Sequence, residues 1–186
     1  MKATRKKLEK AWDKQKLVTI RRNACRGGGV QAFVIDVSKH FVLLQQVCDF
    51  HLDGLFLFRI SDISGVNATD TDKFHRKLLI QEEEFELVDF ARRLPIQSYQ
   101  ALLESLPEDQ IFIIEDEIST ESRFLIGTLD YVDEDIASVH YFDGVAKWLD
   151  ERSIIKTEKI TSCQIESNYI NYYQRYFYRQ KLKKKE

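Results

Sequence analysis

Proline and glycine are scarce in this chain: two and seven in 186 residues. That scarcity excludes collagen-like and linker-rich low-complexity chains, which need those residues in bulk. No apolar run approaches the roughly 20 residues of a membrane-spanning helix, so no membrane partner is expected. The basic N-terminus is followed by no apolar stretch, so a secretory leader is not expected either. Cysteine is limited to Cys25, Cys48 and Cys163, an odd count with no Cys-x-x-Cys. That usage fits a reducing cytoplasm better than a disulfide framework.

Apolar and charged residues are plentiful by contrast. Hydrophobic residues make up 44% and aromatic residues 12%, enough to bury a core. The net charge of −2 hides a segregation. Residues 1–31 hold ten Lys/Arg against two Asp/Glu, and residues 175–186 hold six against one. The stretch between them holds 12 basic and 27 acidic residues. Basic ends can contact nucleic acid or an acidic partner, and they can equally be solvated surface.

The chain also states one pattern twice. Leu17 to Asn23 aligns with Ile111 to Glu117, 94 residues on. At the same step Val34–Val37 aligns with Thr128–Tyr131, and Phe41–Leu43 with Asp135–Ala137. An Asp-Gly follows in each half, Asp53-Gly54 and Asp143-Gly144. Phe74–Leu78 then matches Tyr169–Tyr173 at a step of 95. A period of this length reads as two copies of one small unit, divided as 1–97 and 98–186.

Each unit reads as helix, five short strands, helix. In the first, Leu8, Ala11 and Trp12 share a helix face over 3–15. Alternating or apolar runs at 17–22, 30–37, 41–47, 55–60 and 63–67 predict strands. Asn23–Gly29 reads as a glycine-rich hairpin loop and 49–54 as a turn ending at Asp53-Gly54. Thr69–Asp72 opens a helix; Phe85, Val88 and Ala91 are spaced to extend it until Pro95 stops it, and 81–97 joins the units. In the second unit Ser98 caps a helix carrying Tyr99, Leu102, Leu103 and Leu106. Strands are expected at 110–116, 123–131, 135–142, 145–149 and 153–161, with a closing helix from about 167. Its tyrosines, Tyr169, Tyr172, Tyr173 and Tyr176, fall at helical spacing, which favours a place in the core for Tyr169, Tyr172 and Tyr173.

The expected fold is therefore mainly β with flanking helices (α+β), as two tandem five-stranded small barrels. Short strands with tight turns favour a bent sheet over a flat one with exposed edges. This architecture resembles the Sm-like and SH3-like small barrels, although the signature motifs of the Sm family are not visible. A closer resemblance rests on Phe33–Leu44, Leu52-Asp53-Gly54 and Arg59–Ile63. These segments look like a family of uncharacterised bacterial proteins, whose C-terminal part the second half also resembles. That resemblance implies a fold and a bacterial cytoplasmic setting, and no activity.

Candidate chemistry is thin. Cys25-Arg26-Gly27-Gly28-Gly29 lacks the Gly-Lys-Ser/Thr ending and following helix of a phosphate loop. Carboxylates gather in sequence at Glu115-Asp116-Glu117, Asp130 and Asp133-Glu134-Asp135. A metal-dependent hydrolase would need them to converge. The four histidines show no i, i+4 pair and no zinc-finger spacing. No catalytic residue, cofactor or metal ligand is assigned. The first expectation is a non-enzymatic protein-interaction module with an unidentified protein partner. The second is RNA or single-stranded nucleic-acid binding through Arg21, Arg22, Arg26, Arg175, Arg179 and Lys181. A carboxylate-metal hydrolase ranks third.

Overall fold

The structure is a computed structural model that describes residues 1–23 and 29–183. Ten antiparallel strands form one continuous sheet. The first five are β1 (Leu17–Arg22), β2 (Val30–Val37), β3 (Phe41–Cys48), β4 (His51–Arg59) and β5 (Ile63–Asn67). The second five are β6 (Phe112–Asp116), β7 (Arg123–Val132), β8 (Ile136–Phe142), β9 (Trp148–Lys156) and β10 (Ser162–Ile165). The helices are α1 (Lys2–Asp13), α2 (Asp70–Gln81), α3 (Tyr99–Glu104) and α4 (Asn168–Lys183).

The strand order is β5-β1-β2-β3-β4-β10-β6-β7-β8-β9. Each set of five follows one scheme, with its fifth strand beside its first and its fourth at the far side. The pairing register repeats as well. Ala32↔Gln46, Phe33↔Gln45 and Val34↔Leu44 are followed by a one-residue shift, then Asp36↔Leu43 and Val37↔Val42. Gly127↔Tyr141, Thr128↔His140 and Leu129↔Val139 precede the same shift, then Tyr131↔Ser138 and Val132↔Ala137. Even the bulge recurs, and bulges set where a strand bends. Short 3₁₀ turns, Ile60–Asp62 and Thr157–Lys159, link the fourth strand to the fifth in each set.

No barrel closes. The expectation of two barrels meets one open sheet, in which β4 of the first set pairs with β10 of the second. Three apolar clusters hold it. The inward residues Val18, Ile20, Val42, Leu44, Phe58 and Val66 pack with Leu8 and Ala11 of α1. The equivalent residues of the second set, among them Phe112, Ile114, Val139 and Cys163, pack with Leu102 and Leu103 of α3. Leu55 and Leu57 of β4 join that second cluster, so the first set contributes side chains to the core of the next. The third cluster lies under α4: Ile111, Ile113, Ile126 and Phe142 meet Ile170.

Several sequence expectations move. The turn after β3 falls at Asp49 and Phe50, both with positive φ (47° and 66°), while Asp53-Gly54 lies inside β4. Two positive-φ residues between paired strands suit the right-handed twist of a tight hairpin. In the second set, 145–149 and 153–161 are not two strands. β9 runs unbroken from Trp148 to Lys156, and β10 follows it. The charged run Asp150-Glu151-Arg152 looks like a turn but sits on an edge strand, where charge is common. Across β2 and β3 the matching pairs of the two sets lie 95 residues apart, not 94. Residues 81–97 do not extend α2. They turn at Phe85–Leu87, and Phe85 and Phe90 pack edge-on to Phe33 at 5.5 and 5.8 Å.

Candidate functional site

β4 and β9 hold the same place in their sets, yet their surroundings differ. Phe41 pairs with Arg59 and Ile136 with Lys156, so Lys156 corresponds to Arg59 and Ile154 to Leu57. Leu57 is fully buried because β10 covers it; Ile154 is 55% exposed because no strand lies beyond β9 among the described residues.

The closed junction at β4 shows what such an edge accepts. Cys163, Gln164 and Ile165 of β10 pair with Leu57, Phe56 and Leu55. The Arg59 guanidinium donates to the Thr157 and Ile160 carbonyls at 2.6 and 2.5 Å, capping the 3₁₀ turn before β10. Arg22 donates both terminal nitrogens to Glu117 at 2.5 and 2.9 Å and lies 4.2 Å over the Phe58 ring. Thr161 donates to the same carboxylate at 2.7 Å. Backbone contact is tight at Gly54 (φ +71°), where a Cβ would stand 2.4 Å from the Ser167 nitrogen. Asp53 accepts from the Asn168 N–H at 2.7 Å and so fixes the start of α4.

At the open edge the corresponding space is a depression of about 350 Å³ beside Ile154, with Asp116, Glu121, Arg123, Lys156 and Lys159 as its charged lining. Arg123 donates to the Ile154 carbonyl at 2.7 Å. At the other end of β9 a groove of about 910 Å³ runs between the sheet and α4, lined by His140, Trp148, Tyr176, Phe177, Glu108 and Lys181. Here the His140 and Trp148 rings lie tilted against each other with centroids 4.6 Å apart, and the Phe177 ring lies 4.9 Å from that of Trp148.

The sequence-predicted cations do not form one site. Arg21 is exposed on β1, whereas Arg22 is buried against Glu117. Arg26 lies outside the described residues. On α4, Arg175 stands 4.6 Å over the ring of Tyr172, itself 72% exposed; Arg179 is exposed, and Lys181 reaches Asp109 at 3.1 Å. Tyr169, 51% exposed, and Tyr172 are not core residues as their spacing suggested; Ile170 takes the buried position.

The carboxylates have local partners. Glu115 accepts from Ser162 at 2.6 Å and Asp130 from Ser138 and Arg152 at 2.9 and 3.1 Å. Asp116 accepts backbone N–H bonds from Ile118 and Ser119, and Asp133 from Asp135 and Ile136, as turn-forming aspartates do. Those bonds hold both carboxyls below the usual range, against the opposing effect of burial. Among the described residues no group of three or more His, Cys, Asp or Glu gathers where it could hold a metal ion. Burial pushes the Cys163 thiol up to about 12. Cys48 is also raised, by partial burial and by Asp49 and Asp53. Neither carries the lowered pKa of an activated nucleophile.

No helix among the described residues is long and apolar enough to cross a membrane. No family model, no curated protein and no solved structure matches this chain. The edge strand β9 escaped the sequence because its charged centre looked like a turn. The missed signal was the match of Ser153–Lys156 to Phe56–Arg59, visible only at a step of 97.

Proposed function

We propose that the protein is a non-enzymatic interaction module, built by duplication of one small barrel-like five-stranded unit, that binds protein partners through its sheet edge. One observation carries this reading: Ile154 lies exposed on β9 where its counterpart Leu57 is covered by a neighbouring strand. Edge strands recruit partners by main-chain pairing, with side chains on alternate residues setting specificity. The 350 Å³ depression beside Ile154 offers such side chains a place to seat. An assignment to the bacterial family it resembles, with a cytoplasmic setting, agrees with this reading but adds no activity.

A second reading is favoured by α4 alone. Exposed Tyr172 beneath Arg175 is the kind of surface on which a single-stranded base stacks while cations hold phosphate. One experiment separates the two. The intact chain and an Ile154→Lys variant are used as bait in lysate of the cells that express the protein, with and without nuclease. Capture that survives nuclease and is lost in Ile154→Lys supports edge binding. Capture that vanishes with nuclease and weakens with added salt supports the nucleic-acid reading, because phosphate contacts release counterions. Capture unaffected by Ile154→Lys in both arms removes the edge proposal.

A further inference from the structure

The covered edge within the chain is a template for the open one. The sheet ends in β9 on one side and in β5 on the other. The internal junction joins a fourth strand to a fifth strand, and those are the two kinds of strand left free. Resting on the edge-binding reading, we infer that the β9 edge docks the β5 edge of a second copy of this chain, head to tail.

Register equivalence specifies the contact. Ile20 pairs with Val66 and Ile114 with Cys163, so Val66 corresponds to Cys163. Cys163 faces Leu57 across the junction. Ile154 therefore faces Val66 of the next copy, Ser153 faces Asn67, and Arg152 faces Ala68. Val66 is 7% exposed at the margin of the first cluster. Ile154 covers that margin as Leu57 covers Cys163.

The flanking chemistry corresponds too. Arg59 caps the carbonyls of Thr157 and Ile160. Lys156 takes the place of Arg59, and Ile60 and Ile63 of the next copy take the place of those two residues. The 3₁₀ turn Ile60–Asp62 has the length and position of its counterpart Thr157–Lys159. It enters the depression whose charged lining is Asp116, Glu121, Arg123, Lys156 and Lys159, bringing the Asp62 carboxylate toward three cations set among two carboxylates. Arg123 yields the Ile154 carbonyl to the incoming strand. On the β5 side Ser64 is exposed, whereas its counterpart Thr161 is 3% exposed beneath the junction. Gly65 has room for a side chain and leaves the strand accessible.

The second contact is weaker than the first. Asn23 stands where Glu117 stands, and Asp116 where Arg22 stands, so the buried ion pair has no counterpart. Glu151 replaces Gly54, which removes the closest backbone approach. The interface is heterologous: it closes into a ring where the rotation permits and otherwise extends as a chain. Assembly is thus reversible and dependent on concentration.

Sedimentation of the full chain over a roughly hundredfold range of concentration tests this. The weight-average mass should rise to about twice the chain mass or beyond. Ile154→Lys and Ser64→Lys each place a charge on one exposed edge position, and each should sediment as a monomer with an unchanged melting curve. Mixed in equal amounts, the two variants still hold one intact edge apiece and should form a dimer and nothing larger. A wild-type chain that stays monomeric throughout overturns the inference, as does an Ile154→Lys variant that assembles like wild type. A monomeric chain that still captures a foreign protein through β9 also overturns it, and leaves the proposed edge-binding function standing.

Discussion

Arg22 is the side chain whose partner the junction can least spare. Its guanidinium is 5% exposed and lies between the Phe58 ring and the Glu117 carboxylate. Removing that carboxylate leaves a buried cation with one of its compensating charges gone, a loss of about 3–5 kcal/mol for well-buried pairs. Glu117 is itself 23% exposed, which puts Glu117→Gln at about 3 kcal/mol, the low end of that range. The Arg92–Glu166 pair is an internal control. It is bidentate, at 2.7 and 2.6 Å, but 32% and 41% exposed. Solvent screens it, and Glu166→Gln should cost below about 1 kcal/mol. Urea unfolding of both variants checks the contrast. Equal losses would mean that burial does not set the strength of the junction pair.

Among the elements, α2 and α4 show how one scaffold carries two chemistries. Both helices follow a fifth strand and start from a hydroxyl cap: Thr69 accepts from the Asp72 N–H and Ser167 from the Ile170 N–H. Beneath α2, Asp72 accepts from Thr19 and Gln31 at 2.8 Å each, and Gln31 meets His75 at 3.1 Å. Beneath α4 the matching positions are Ile113, Ile126, Ile170 and Tyr173, an apolar patch. Burial raises the Asp72 carboxyl, but the bonds from Gln31, Thr69 and Thr19 outweigh it and hold the pKa below the usual aspartate value. A carboxyl depressed in the folded state adds stability above its unfolded pKa of about 3.9 and loses it as pH falls through the folded value. Stability should therefore drop below about pH 4, and Asp72→Asn should flatten part of that drop. The flattening is partial because Asp70, Asp116, Asp130 and Asp133 are depressed as well. Urea midpoints against pH measure it; an unchanged acid slope in Asp72→Asn would remove Asp72 from the account. The same elements show what was legible in the sequence. The alternation of Val18, Ile20, Val42 and Leu44, and the caps at Thr69 and Ser98, act through neighbours and could be read locally. β10 could not: Ser162-Cys163-Gln164-Ile165 has a weak strand signal and is held by β4 and β6, more than 45 residues away. The candidate edge on β9 was hidden for a related reason. What marks it is the absence of a neighbouring strand, and only the sheet order reveals that.

At the scale of the whole molecule, the question is whether the two sets of five strands fold as two bodies or as one. The clusters favour one. Leu55 and Leu57 from β4 pack among Phe112, Ile114, Ile160 and Cys163 of the second set, and the linker residues Val88 and Ile96 join the same cluster. A chain cut at the linker would expose these leucines on one fragment and an uncovered core on the other. Their burial is worth about 1.5–3 kcal/mol per side chain, a substantial share of the 5–15 kcal/mol that typically stabilises a domain. Unfolding should thus be one cooperative transition. The chain supplies its own probes: Trp12 packs against the first cluster and Trp148 against the third, at opposite ends of the sheet order. In Trp148→Phe the remaining fluorescence reports the first set; in Trp12→Phe it reports the second. At concentrations low enough to keep the chain monomeric, each variant is compared with its own circular-dichroism transition. Coincident midpoints within each variant are expected, as two-state folding requires. If the Trp12 and Trp148 signals part from the global transition, the junction is a contact between independent domains. The ion pair at Arg22 would then hold those domains side by side without coupling their stability.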